Sequence, residues 1–334
     1  MSALIKKYIG VASLLVGVVV YSATTCAAQG LYDRIVVFGA SYSDSGNAFA
    51  LLSDPQTHGF DEDCLITTQS VPPYDALDDL VIPESAYARG GHHFTNGATW
   101  VELLARRQGL SGSTRPALAN ENDHATNYAV GGARVLDYPC RFNLSAQLAT
   151  YLADHGQASA TTLFIFDIGG NDLRDVIAQE TDPSEIPLVL GNIAGAIQAL
   201  YLQGARNFLL VNVGGLGSIP SMRALDRIFP GIAQAADQLA LGFNLGLAQV
   251  RDLANGLPDA DVRILDMYGL LATILAAPES YGLTDVSNPC VSPDVPPYVC
   301  KKPDTYLFWD GAHVTRAVHW IIATEAAKVL GQGP

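Results

Sequence analysis

Residues 35–47 read IVVFGASYSDSGN. Five residues, Ile35 to Gly39, form an apolar run of the kind used by a strand buried on both faces, and the run stops abruptly at the glycine. Ser41 follows two positions later, inside a cluster of small and polar residues. A serine there is either part of a plain turn or a nucleophile held at the carboxyl end of a sheet. The rest of the chain decides between the two.

Similar apolar runs recur at Ala125–Val130, Thr162–Ile168, Asn207–Val213 and Val262–Met267, with the first at Arg34–Phe38. Helical spacing separates them. Ala98–Gln108 ends at Gly109, a helix stop. Leu144–Asp154, Ile186–Gln203 and Ala233–Ala254 carry apolar residues three and four apart, and Val314–Leu330 closes the chain. Strand and helix in alternation predict parallel strands with crossover helices, hence a three-layer α/β/α sandwich. In such sheets, sites lie outside the carboxyl ends of the strands. Residues 54–97 and 281–306 break the rhythm, being rich in Pro, Gly and Asp. They are expected as long loops over that same edge.

Of 334 residues, 49% are hydrophobic and only 16% charged, so a large core is available. Net charge is −14, which disfavours nucleic acid and anionic membrane surfaces and suits neutral or cationic substrates. Residues 1–28 read as a signal peptide: Lys6 and Lys7, an apolar run from Tyr8 to Tyr21, then Cys26 and Ala28 as small residues before a cleavage site. Residues 29–334 then form a single secreted, extracellular domain. Removing the signal leaves Cys64, Cys140, Cys290 and Cys300. An even count in a secreted chain implies disulfides, in any of three pairings. Cys290 and Cys300 close a short loop and are the local pair, which leaves Cys64 with Cys140. A zinc site lacks C-x₂-C spacing and an adjacent histidine. Asn143-Leu-Ser is the one N-glycosylation sequon.

Four short stretches fall at the predicted carboxyl edge: Gly39-Ala-Ser41, Asn127-Tyr-Ala-Val-Gly-Gly132, Asp167-Ile-Gly-Gly-Asn171-Asp172 and Asp310-Gly-Ala-His313. Their residue types suit acyl transfer. A serine hydroxyl needs a base, which His313 supplies, and the second imidazole nitrogen needs an acceptor, which Asp310 supplies. The oxyanion of a tetrahedral intermediate needs preorganised donors. The backbone N–H groups of Ser41 and Gly132 and the Asn171 amide are candidates. His319, further into the last helix, is expected to pack. Asp44 is expected to tie its loop or the start of the following helix through backbone N–H groups, Asp172 to cap a helix, and His92 and His93 to lie in a solvated loop. Trp309 either lines an acyl pocket or packs.

The pattern resembles the GDSL (SGNH) esterases and lipases. FGASYSDSGN is similar to their first block, usually written FGDSLSDTGN. NYAVGG resembles their glycine block, GGND their G-x-N-D block, and DGAH their closing D-x-x-H. FTNGATWVELLA and YLFWDGAHVT look like the branch of phospholipases, lecithinases and hemolysins. The resemblance covers about residues 33–328 in matching order, and four ordered blocks are far more specific than one. It implies a flavodoxin-like fold and Ser41 as nucleophile, with Asp310 and His313 completing the triad. It also implies Gly132 and Asn171 as oxyanion donors beside Ser41, with the family's spacing favouring Gly132 over Gly131. No cofactor or metal is implied. Partners would be small-molecule or polysaccharide esters, with transient contact to lipid aggregates for a lipase. A carbohydrate acetylesterase is the alternative within enzymes. One departure stands out: Ala40 replaces the acid that usually precedes the serine. Only that feature favours a non-catalytic binding protein, and the intact triad opposes it.

Overall fold

The computed structural model describes residues 31–53, 93–119, 124–139, 141–291 and 299–332. The expected signal segment, Cys64, Cys140, His92 and the stretch 54–92 lie outside the described residues.

Four parallel strands lie side by side in chain order: β1 (Arg34–Gly39), β2 (Thr162–Asp167), β3 (Asn207–Val211) and β4 (Asp261–Leu265). β1 and β2 run in register from Arg34 opposite Thr162 to Gly39 opposite Asp167. The run Ala125–Val130, expected as a full strand, adds to the free edge of β1 only through a parallel bridge, Val37 with Asn127. Its hydrogen bonds are nonetheless strand-like: Val37 N–H to Thr126 O at 3.0 Å, Tyr128 N–H to Val37 O at 2.8 Å and Val130 N–H to Gly39 O at 3.1 Å. The far side of this segment is taken by residues 113–117 and by the Asn47 amide, which donates to the Asn127 and Ala129 carbonyls. With that segment at the edge, strands in order of occurrence lie 2-1-3-4-5, the flavodoxin-like arrangement, and the direction of winding reverses at β1.

Alternation along each strand divides the core in two. Val36, Phe38, Phe164, Phe166, Phe208 and Leu210 point to one face, and Ile35, Val37, Leu163, Ile165, Leu209 and Val211 to the other. The first face is largely aromatic, with Phe38 and Phe166 ring centroids 5.3 Å apart. It is covered by α3 (Leu144–His155), α4 (Gly170–Ile177), α5 (Ile186–Leu202) and α7 (Ile232–Ala254). The second is covered by α2 (Trp100–Arg107), α8 (Met267–Ala276) and α9 (Arg316–Val329). That is the three-layer α/β/α sandwich. Two short helices, α1 (Asn47–Ser53) and α6 (Pro220–Ile228), lie in the connections that follow β1 and β3.

The stretch 281–306 is not a plain loop. β5 (Asp285–Pro289) pairs in parallel with β6 (Tyr306–Phe308) in a small second sheet. A Cys290–Cys300 disulfide follows β5. Trp309 is 2% exposed and packs with Cys290 and Val291, so it belongs to this small core. Asn143 is also buried: its amide oxygen accepts the Arg134 N–H and its nitrogen donates to Tyr138 O. The sequon is therefore closed to a glycosyltransferase in the folded chain.

Candidate active site

The end of β1 is clamped before the serine appears. The Gln147 side chain accepts the Gly39 N–H at 2.8 Å and donates to the Gly39 carbonyl at 2.9 Å. The Ala40 N–H continues the sheet onto Asp167 O at 3.0 Å, and a turn closes with Ser43 N–H to Ala40 O. Ser43 Oγ then donates to the half-buried Asp167 carboxylate at 2.6 Å, which also accepts from Trp100 Nε1 at 3.3 Å. Burial pushes the Asp167 carboxyl up, against those two donors. Asp44 accepts backbone N–H bonds from Gly46, Asn47 and Ala48 at the start of α1. It accepts a fourth from Gly131, tying the serine turn to the glycine turn. Burial pushes its carboxyl up, and four N–H donors do not fully offset it.

The acid and base come from the far end of the chain. β6 ends at Phe308, which bridges antiparallel to Val314, so residues 309–313 form a tight return. Asp310 Oδ1 accepts the N–H groups of Ala312 at 2.7 Å and His313 at 2.6 Å. Its Oδ2 lies 2.7 Å from His313 Nδ1, and His313 Nε2 lies 2.8 Å from Ser41 Oγ. The sequence separation between the serine and the histidine is 272 residues. Asp310 is buried, which alone would push its carboxyl up; the imidazole charge and three hydrogen bonds outweigh burial and hold it below the usual carboxylate range. Tyr42 donates to Ala312 O at 2.8 Å and locks the two turns together. Phe94 closes one side, its ring 5.3 Å from that of His313 and against Gly131, where a Cβ would sit 2.2 Å from Phe94 Cζ.

Of the successive amides 131–133, Gly131 is committed to Asp44 and Ala133 to the Val130 carbonyl. That leaves the Gly132 N–H, in a residue with φ of +79° that a side chain would rarely adopt. Asn171 is in the first turn of α4, after Gly169, whose φ is +116° and whose Cβ would meet Phe243 at 2.6 Å. One Asn171 amide hydrogen goes to Ala133 O at 2.8 Å. Asn171 thus stands beside the glycine turn.

Two expectations need correction. His93 is buried, not solvated, and its Nε2 lies 2.8 Å from Glu102 Oε2. Asp172 reaches away from its own helix to accept the N–H groups of Val135 and Leu136. His319 packs as expected: Nδ1 accepts the Trp100 N–H at 3.2 Å, and burial, with the charges of His93 and His313, pushes its pKa down to about 3. Sequence reading missed Gln147, Ser43 and Asp167 as supports of the serine turn. Among the described residues no group of three or more His, Cys, Asp and Glu side chains is placed to hold a metal ion.

The profile of the family described as GDSL-like Lipase/Acylhydrolase matches residues 35–326, which takes in every element of this site. The chain belongs to that family and is a carboxylic ester hydrolase. One GDSL esterase/lipase of Arabidopsis thaliana is 26% identical over 69% of this chain and 76% of its own length. Another from the same plant is 24% identical over 96% of this chain and 92% of its own length. Among solved structures, an acetylxylan esterase from Geobacillus stearothermophilus is similar at 12% identity and a TM-score of 0.45, covering 90% of this chain and 94% of that one.

Proposed function

We propose that the protein is a secreted serine ester hydrolase that works through an acyl-enzyme on Ser41. The observation that carries this is the unbroken chain of short contacts from Asp310 through His313 to Ser41 Oγ. His313 Nε2 takes the Ser41 proton as Oγ bonds to the ester carbonyl carbon. The carbonyl oxygen becomes an oxyanion, received by the N–H groups of Ser41 and Gly132 and by the second Asn171 amide hydrogen. The C–O bond to the alcohol then breaks, and the imidazolium returns its proton to the leaving oxygen. Water, deprotonated by His313, attacks the acyl-enzyme, and the acid leaves with Ser41 restored. Asp310 orients His313 and stabilises the imidazolium while remaining an anion.

Secretion is supported by the sequence of residues 1–28 and by the Cys290–Cys300 bond, which suits an oxidising compartment. Residues 29–334 are then one hydrolase domain. The acidic surface favours neutral or cationic esters.

The test is hydrolysis of p-nitrophenyl esters from acetyl to palmitoyl, with Ser41→Ala as control and mass spectrometry after a fluorophosphonate probe. Turnover lost in the variant and a probe adduct on Ser41 are expected. Equal turnover in the variant, or an adduct elsewhere, would sink the mechanism. The chain-length optimum separates a lipase, with medium or long acyl preference, from a polysaccharide deacetylase, with sharp acetyl preference.

A further inference from the structure

Arg134 is 1% exposed, and its partner Asp175 is nearly as buried. Arg134 Nε lies 2.6 Å from Asp175 Oδ2 and Nη2 lies 2.8 Å from Oδ1, a bidentate pair. The third guanidinium nitrogen, Nη1, donates to the Gly132 carbonyl at 2.5 Å. A buried pair of this kind is a poor way to gain stability, because taking both ions out of water offsets most of their attraction, and apolar residues of similar volume often serve as well. What the pair supplies is direction, since a guanidinium fork has fixed angles.

The fork reaches the glycine turn that carries one of the groups assigned above to the oxyanion, through the Gly132 carbonyl. Asp175 is one helical turn after Asn171, on the same side of α4, with Asp172 beside them. That side of the helix holds the glycine turn residue by residue. Arg134 carries the Gly132 carbonyl, Asn171 binds the Ala133 carbonyl, Asp175 binds Arg134, and Asp172 receives the N–H groups of Val135 and Leu136. The Arg134 backbone is pinned as well, N–H to Asn143 Oδ1 and carbonyl to the Leu144 N–H. The ion pair is thus the link between α4 and the Gly132 carbonyl, beside the Asn171 bond to the Ala133 carbonyl.

We infer that Arg134, held by Asp175, is a positioning residue for ester hydrolysis: it fixes the Gly132 conformation so that the Gly132 and Asn171 donors meet the oxyanion together. The inference rests on the proposed roles of Gly132 and Asn171. Preorganised donors act on the transition state and hardly at all on ground-state binding. Loss of the pair should therefore lower kcat and leave KM almost unchanged.

The experiment replaces the pair with apolar residues of similar size, Arg134→Met with Asp175→Leu, in the full chain. Melting temperature, kcat and KM on p-nitrophenyl butyrate, and the Ki of butylboronic acid are measured. The boronic acid adds to Ser41 Oγ as a tetrahedral adduct, so its affinity reports the donors without turnover. The expected variant melts near the parent, keeps KM within about twofold, and loses about 10–100-fold in kcat with a parallel loss in boronate affinity. Should it not fold, Arg134→Lys is read instead. A lysine keeps the charge but not the fork, and it should lower kcat and boronate affinity in the same proportion. Parental kcat in whichever variant folds, or a fall in kcat with boronate affinity unchanged, overturns the inference. Asn171→Ala is the control for the underlying reading. If it too leaves kcat and boronate affinity at parental values, the donor assignment itself fails. If it lowers both while the pair variant does not, only the role of Arg134 fails.

Discussion

Asp310→Asn changes a single atom at the site and reverses the direction of one hydrogen bond. Asp310 Oδ1 accepts two backbone N–H groups, from Ala312 and His313. An asparagine must keep its carbonyl oxygen there, because an NH₂ group facing two N–H donors would cost two hydrogen bonds at once. Its NH₂ group then faces His313 Nδ1, which has to become an acceptor. The imidazole proton moves to Nε2, and Nε2 can no longer accept the proton of Ser41 Oγ from 2.8 Å away. The fold and the substrate site are untouched, so KM and melting temperature should stay near parental values. In serine–histidine–aspartate sites a carboxylate-to-amide change of this kind lowers kcat by about 10⁴-fold. At 1.36 kcal/mol per decade that is roughly 5.5 kcal/mol of barrier. The assay is steady-state hydrolysis of a p-nitrophenyl ester, with the enzyme free of parental contamination to better than about one part in 10⁵ so that the residual rate can be read. A kcat within tenfold of the parent would refute the reasoning, because it would mean that Asp310 does not set the tautomer of His313.

Asp172 provides a pH test of stability. Burial, opposed by the Val135 and Leu136 N–H groups, pushes its pKa up to about 6. A carboxyl raised in the folded state stabilises the fold fully below its unfolded pKa near 4 and loses that contribution as pH rises through about 6, worth about 3 kcal/mol. Urea unfolding of the parent and of Asp172→Asn at pH 4 and 7.5 should therefore show the parent losing roughly that much relative to the variant, and parallel curves would contradict it. Gly169→Ala combines a φ of +116° with a Cβ 2.6 Å from Phe243, so at least 2–3 kcal/mol of destabilisation is expected from strain and overpacking, read as a fall in melting temperature. An unchanged melting temperature would remove that account of α4. Reducing Cys290–Cys300 opens a loop of sequence separation 10, for which chain entropy gives about 2–3 kcal/mol, and activity should fall at a lower temperature because the Asp310–His313 return hangs from β6 beside it. Identical inactivation curves with and without reductant would show that the staple does not support the site.

What could be read from the sequence depended on how local the cause is. β1 and β2 are apolar on both faces, and a strand buried on both faces needs no partner to be recognised. The return from Asp310 to His313 is equally local, since its acid, two amides and imidazole lie within four consecutive positions. β3 and β4 end sooner than their apolar runs suggest because polar groups intervene. Asn212 donates to Asp266, and Asp266 caps α8 by accepting the Gly269 N–H. Met267, read as the end of a strand, is thus the first residue of a helix. α1 has only seven residues after Gly46 and shows no periodic face; what marks it is Asp44, whose carboxylate holds its first N–H groups. β5 is polar and pairs with a strand that begins seventeen positions after it ends, so no local pattern marks it. His93 lies beside two glycines and looks like a loop residue until Glu102, on α2, is folded against it. Arg134 would pass for a surface cation, and only the partner 41 positions away puts it in the interior.

The substitution at position 40 becomes intelligible on the same terms. The Ala40 side chain packs against the aromatic face of the core, and its N–H is already taken by the Asp167 carbonyl. Gly39 before it is gripped on both backbone atoms by Gln147, and Ser43 after it is held by the Asp167 carboxylate. The turn that presents Ser41 therefore has fixed groups on both sides and makes no demand on an acid at position 40. The carboxylates at this edge differ in what surrounds them. Asp44 and Asp167 are met by neutral donors and are pushed up, whereas Asp310 faces an imidazole and is held down. Asp310, which must remain an anion beside a developing imidazolium, is placed where burial loses to charge. The serine turn is thus held by hydrogen bonds to Asp44, Asp167 and Gln147, and the glycine turn beside it is held in addition by the Arg134–Asp175 pair.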